Sequence, residues 1–206
     1  MVWNEQLKHE VPARWKVVQL SNLCSISTKQ CTPSKIACNL LEHYSIPAFD
    51  DGVYPSFDPP TSILSNKFVI PKGGILYSKL NAQFKRIWDP LHLTDISIAS
   101  SEFVIYVPYD LHLRGFLYAT LNGERFYKFT NSISSCSTGS RKRFTPETTH
   151  RFLIPVPNIN GIVEQYSQLC SAILGAIRKC RIETQELKQN RDTLLPLLMS
   201  GQVIVE

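Results

Sequence analysis

The sequence predicts an α+β fold: a mixed globular domain followed by one long C-terminal helix with a coiled-coil seam. Three observations carry this. Short β-like stretches separated by turn residues occupy most of the first 160 residues. Ile154-Pro155-Val156-Pro157-Asn158 sets two prolines at alternate positions, which blocks a helix and favours an extended linker. From Gly161 to Leu195 the apolar residues step by four and three, a seam of period about 3.5 that marks a helix lying along another helix.

Taken in order, Trp15 to Leu20 alternates as a half-buried strand does and leads into Ser21-Asn22-Leu23-Cys24, which suits a cap and short turn. Pro55 to Pro60 reads as a loop. Lys67-Phe68-Val69-Ile70 reads as a strand closed by the turn Pro71-Lys72-Gly73-Gly74, and Ile75 to Ser78 and Glu102 to Val107 read as further strands. Leu111 to Asn122 has helical spacing through Leu113, Phe116, Leu117 and Leu121, with Gly123 as its stop. No internal repeat is present.

The seam of the last helix consists of Ile162, Tyr166, Leu169, Ile173, Ala176, Cys180, Leu187 and Leu194, with polar Glu183 and Asn190 at the two positions that complete it. The pattern predicts that the helix stops at Pro196. At about 1.5 Å per residue it spans roughly 50 Å, too long to be buried under the preceding domain. It is expected to serve as a ruler or a dimerisation arm. The expected division is a globular domain over 1–157 and a helix with its tail over 158–206.

Composition narrows the function classes. Hydrophobic residues at 43% and charged residues at 19% describe a core-forming chain. The start, Met1-Val2-Trp3-Asn4-Glu5, has neither the basic nor the apolar part of a secretory signal, and no apolar run approaches the roughly 18 residues of a membrane span. A cytoplasmic protein with no membrane association is expected. The six cysteines form no C-x-x-C pair and no histidine pair has zinc spacing, so free, mostly buried thiols and no metal site are expected. Net charge is +5, and its placement matters more than its size. Between Arg125 and Arg151, Arg125, Lys128, Arg141, Lys142, Arg143 and Arg151 face a single acid, Glu147. A charge excess confined to one block points to a polyanionic partner.

Catalytic readings find little support. There is no G-x-G-x-x-G and no P-loop, so no nucleotide cofactor is expected. Phe57-Asp58-Pro59-Pro60 is similar to the acidic-Pro-Pro-aromatic loop of amino-methyltransferases, but Thr61 stands where that loop needs an aromatic ring. No carboxylate pair with a following lysine holds a nuclease metal, and the five histidines lack Cys or Ser companions in a catalytic frame. Binding outranks catalysis, and no catalytic residue or cofactor is assigned.

Two loops combine cations with small polar residues. One runs from Tyr77 through Lys79 and Asn81 to Lys85, Arg86 and Trp88; the other is Ser137-Thr138-Gly139-Ser140-Arg141-Lys142-Arg143. Small residues bring backbone amides close to phosphates, Arg can grip a guanine edge with two hydrogen bonds, and Asn suits adenine. Lys79, Asn81, Arg86, Ser140, Arg141, Lys142 and Arg143 are therefore the candidate DNA contacts.

Over its whole length the sequence resembles one half of the specificity (S) subunit of type I restriction–modification systems. The stretches that carry the resemblance are VPARWKVVQLSNLCSI (11–26), SNKFVIPKGGILYSKLN (65–81), ASSEFVIYVP (99–108), STGSRKRFTPE (137–147), FLIPVPNINGIVEQYSQL (152–169) and RDTLLPLLMSGQVIV (191–205). The terminal R-D-x-L-L-P-x-L-x-S-G is the most specific. The resemblance implies a target-recognition domain that reads one half of a split site in double-stranded DNA, and a spacer helix that docks methyltransferase (M) subunits and, through them, restriction (R) subunits. It implies no catalytic activity in the chain itself. Family members carry two such domains and two helices, where this sequence has one of each. A lone apolar seam favours pairing with a second copy. An antiparallel pair would read an interrupted palindrome whose half-site centres lie at most about one and a half turns of DNA apart. The competing expectation is a non-catalytic coiled-coil adaptor whose basic loop is a solvated surface.

Overall fold

The computed structural model describes residues 1–135, 141–158 and 161–201. In chain order the elements are β1 (Val2–Asn4), β2 (His9–Val11), β3 (Trp15–Gln19), β4 (Cys24–Ser27), β5 (Gln30–Cys31), β6 (Leu41–Tyr44), α1 (Ile46–Asp50), β7 (Ser56–Asp58), β8 (Lys67–Val69), β9 (Ile75–Ser78) and β10 (Ile87–Trp88). They continue with β11 (Ser97–Ala99), β12 (Phe103–Pro108), α2 (Arg114–Asn122), α3 (Glu124–Ser132), β13 (Leu153–Pro157) and α4 (Ile162–Met199). The architecture is the expected mixed globular part followed by one long helix.

A four-stranded antiparallel sheet in the order β10-β9-β12-β4 is the centre of the globular part. Its strands β9 and β12 are covered on both faces, which is why ILYS and FVIYVP read as nearly unbroken apolar runs. Ile75, Tyr77, Val104 and Tyr106 meet Leu117 and Leu121 of α2, Phe126 of α3 and Phe152. The alternate residues Leu76, Phe103 and Ile105 pack with Tyr44, Ile70, Trp88 and Ala99 toward a second sheet of order β5-β8-β11-β6-β7. In that second sheet β11 and β6 pair parallel. Its buried carboxylate Glu42 accepts hydrogen bonds from Tyr44 Oη, Ser97 Oγ (3.0 Å) and the Thr94 amide (3.1 Å), as a buried charge requires.

Several expectations need correction. The 154–158 segment is extended but is no free linker. Its residues form β13, paired antiparallel along its whole length with β3. A two-stranded pairing leaves one edge open, so Pro155 and Pro157 can lack their N–H groups without breaking a ladder. The Pro55–Pro60 loop contains β7, and Asp58 there holds His43 Nδ1 (2.9 Å) and Ser56 Oγ (2.8 Å). Gly123 does end α2, but it also begins α3, a helix the sequence reading did not foresee. Of the cysteines only Cys24 is buried among the described residues, where desolvation pushes its thiol up to about 12; Cys31, Cys38 and Cys170 are half-buried and Cys180 is exposed.

The long helix starts as expected at Gly161 and departs from expectation at its other end. It does not stop at Pro196: Ser200 N–H donates to Pro196 O (3.0 Å) and the helix runs to Met199. A proline removes the bond reaching back toward the N-terminus and leaves those ahead of it intact. With 38 residues α4 measures about 57 Å. Nor is it a free arm, for its first half lies on α2. Gly115 permits the approach, because a Cβ there would sit 2.1 Å from the Ser167 carbonyl oxygen. Ser167 Oγ donates to His112 O (2.6 Å) and accepts from the Phe116 amide (3.1 Å). Val163, Ser167 and Leu174 form the buried stripe.

Candidate nucleic-acid interface

The two basic loops, some sixty residues apart in sequence, meet beyond the end of β9 at one end of the central sheet. After β9 the chain turns at Lys79, whose amide donates to Glu102 O (2.9 Å), and Ser78 Oγ donates to Leu80 O (3.1 Å). Leu80 then forms an antiparallel bridge with Arg143, and the Asn81 amide donates to Lys142 O (2.7 Å). Arg143 also exchanges both backbone hydrogen bonds with Ser135 (3.0 Å each). The backbone pairing thus brings the segment of Lys79 and Asn81 together with that of Arg141, Lys142 and Arg143. Lys79, Arg141 and Arg143 border a shallow hollow of about 330 Å³, closed by Ser135, Phe144 and Pro146. Arg141 and Lys142 are exposed. Ser140 and Cys136 lie outside the described residues.

Asn81 sits at φ +51°, the left-handed region in which Asn is among the few tolerated residues. Its Oδ1 is enclosed and finds no hydrogen-bond partner among the described residues. Arg143 is held differently: its Nε and Nη2 donate to the two carboxylate oxygens of Glu102 (3.0 and 2.7 Å). Hydrogen bonding from Arg143 holds the Glu102 carboxyl below the ordinary carboxylate range against an opposing desolvation, with Lys79 and Arg141 adding positive potential. Glu102 therefore anchors the second basic loop.

Arg86 points elsewhere. Its guanidinium grips Asp50 at the end of α1 through two hydrogen bonds (2.7 and 2.8 Å) and lies 5.3 Å from the Phe84 ring centre. The basic block of the sequence is also divided in space. Arg125 is on α3, stacked on Phe152 (5.6 Å) with a hydrogen bond to Leu153 O, and Lys128 pairs with Glu124. A one-dimensional charge count could not separate these structural cations from the 141–143 cluster.

The predicted seam of α4 is a second candidate surface. Ile162, Tyr166, Ala176, Cys180 and Leu194 are exposed, as are Leu169 (59%), Ile173 (52%) and Leu187 (61%). Ile162 and Tyr166 border an apolar groove of about 340 Å³ with Trp15, Phe116 and Pro155. Ile173, Ala176 and Cys180 border another of about 430 Å³ beside Tyr54. Glu183 and Asn190 are exposed in the same row. No helix is long and apolar enough to cross a membrane among the described residues.

No protein-family model matches the chain, and no curated protein matches it in sequence. Solved structures do match in fold. A chain from the type I R-M system, studied for its complex assembly and conformational transition, superposes with a TM-score of 0.57 at 20% identity, over 94% of this chain and 50% of that one. The HsdS subunit from Thermoanaerobacter tengcongensis gives 0.60 at 19% identity, over 90% and 48%. The type I restriction–modification S subunit from M. genitalium gives 0.57 at 11% identity, over 90% and 46%. The chain has the fold of these subunits and spans about half the length of each.

Proposed function

We propose that this chain is a non-catalytic, sequence-reading DNA-binding specificity subunit of a type I restriction–modification complex. The observation that carries the reading is the joining of residues 79–81 to 141–143 through the Asn81–Lys142 hydrogen bond, on the fold of specificity subunits. That joining supports phosphate contact by the exposed Arg141 and Lys142 beside Lys79, while Asn81, whose Oδ1 is enclosed, must open to reach a base edge. Arg86 and Arg143 join that contact set only as carboxylate-held groups. Arg143 is oriented by Glu102, while Arg86 must leave Asp50 to reach DNA. Ser140 completes the proposed set.

The exposed seam supports pairing with a second copy, in antiparallel orientation, through Ile162, Tyr166, Leu169, Ile173, Ala176, Cys180, Leu187 and Leu194. Two chains then read two inverted half-sites, with M subunits docking on the paired helices and R subunits joining through them. Residues 1–157 act as the reader and 158–206 as the spacer. The protein works on cytoplasmic DNA without a cofactor of its own.

The test is binding to randomised duplexes, with M subunits present, over a range of salt. Wild-type protein should enrich one interrupted palindrome. Replacing Lys79, Arg141 and Lys142 together by Ala removes three cations from each chain of a pair and should lower the slope of log affinity against log salt by up to about 5. Absence of any preferred sequence removes the specificity reading. An unchanged salt slope in the triple variant would leave the adaptor role.

A further inference from the structure

The hairpin β9–β10 carries the basic face at one end and a buried carboxylate at the other. Its register, Ile87 opposite Tyr77 and Trp88 opposite Leu76, puts the 79–86 loop at one end and Asp89 at the opposite one. At about 3.4 Å per residue the two ends are roughly 10 Å apart along the strands. Asp89 is 2% exposed and takes two arginines. Arg178 of α4 grips it with a two-point fork, Nε to Oδ2 (2.5 Å) and Nη2 to Oδ1 (2.6 Å). Arg114 of α2 donates to Oδ1 and also to Gly73 O (3.0 Å) and Gly74 O (3.3 Å), at the turn that starts β9.

This is the second attachment of α4. The first, Ser167 against α2, lies eleven residues earlier, about 16 Å along the axis. Two attachments on one rigid helix define its direction. They differ in kind, because the second joins the helix to the very hairpin that ends in the basic face. The Ser167 contact fixes where α4 meets α2 but leaves the helix free to swing about that one point. A forked guanidinium–carboxylate pair removes that freedom, since both hydrogen bonds fail when either group rotates.

We infer that Asp89, gripped by Arg178, is a positioning residue that sets spacing: it holds the basic face at one angle to the α4 seam, and so fixes the single half-site separation that a pair of chains accepts. The inference rests on the DNA-reading proposal above. It assigns to a buried ion pair, remote from any base, a part in choosing the target.

The experiment compares full-length wild type with Arg178→Gln, which leaves Asp89 its Arg114 partner and so keeps the carboxylate compensated. Lys128→Gln, whose partner Glu124 is an exposed residue one turn earlier on α3, is the control. Each protein is offered duplex libraries with randomised half-sites, then its enriched half-sites at stepped separations, and each free protein is measured by small-angle X-ray scattering. Arg178→Gln should enrich the wild-type half-site, lose the penalty for separations one base pair off the optimum, and broaden the interdomain distance distribution; Lys128→Gln should change none of these. A wild-type spacing profile and distance distribution in Arg178→Gln overturn the inference. If the wild type itself enriches no half-site, the DNA-reading proposal falls instead, and scattering alone then decides whether Arg178 holds the angle.

Discussion

Two stripes run down α4 and are held in opposite ways. The stripe on the globular part is Val163, Ser167, Leu174 and Arg178, secured by a glycine that admits the backbone, a hydroxyl with two partners and a forked ion pair. The other is Ile162, Tyr166, Leu169, Ile173, Leu187 and Leu194, more apolar and yet exposed. The stripe with fewer apolar residues is the one that is buried. Intrachain docking here depends on small and polar groups that fit in one register only, whereas the long apolar row stays exposed and forms the proposed pairing surface.

The contrast can be broken most forcefully at Gly115. Valine there drives its side chain into the Ser167 carbonyl and the Ser171 hydroxyl, 2.1 and 2.8 Å from the first added carbon. The expected loss is about 3 kcal/mol or more, read as a lower denaturation midpoint. A smaller effect comes from acid. Desolvation raises the Asp89 carboxyl, but hydrogen bonds and charge from Arg178 and Arg114 outweigh it and hold it below its ordinary value, with His92 and Tyr118 also facing it. A depressed carboxyl contributes its full stability above the unfolded value, about 3.9, and loses it as pH falls toward the depressed one. Midpoints measured from pH 6 downward should therefore fall below about pH 4, and Asp89→Asn should start lower and lose that part of the slope. The smallest effect on folding is expected in the seam. Leu169→Asp should change monomer stability by less than about 0.5 kcal/mol. It should nevertheless shift sedimentation from dimer to monomer, and an unshifted dimer would remove Leu169 from the interface.

Legibility in sequence followed the same division. Runs such as ILYS at 75–78 and the helical spacing at 111–122 declare themselves, because burial on both faces or on one face leaves a period that can be counted. The docked stripe does not, because glycine, serine and arginine leave no hydrophobic period, and the stronger heptad beside it takes the eye. Prolines hid β13, since a pairing that needs no N–H at Pro155 and Pro157 reads as a linker. At the basic face the residue types were readable but their commitments were not. Glu102 lies 41 positions from Arg143 and Asp50 lies 36 from Arg86, and no spacing rule joins such pairs. The contact between the two loops is a backbone hydrogen bond, which side-chain patterns do not encode.

That backbone stitch has a consequence for redesign. Residues 79–81 and 141–143 share one register, set by the Asn81 amide on Lys142 O, the Leu80–Arg143 bridge and the left-handed turn at Asn81. Transplanting either loop from another protein without its mate would import a strand with no matching neighbour and strand the donor amide. The smallest transferable cassette is the pair of loops together with Glu102 and Ser135, and swaps should be built and scored in those units.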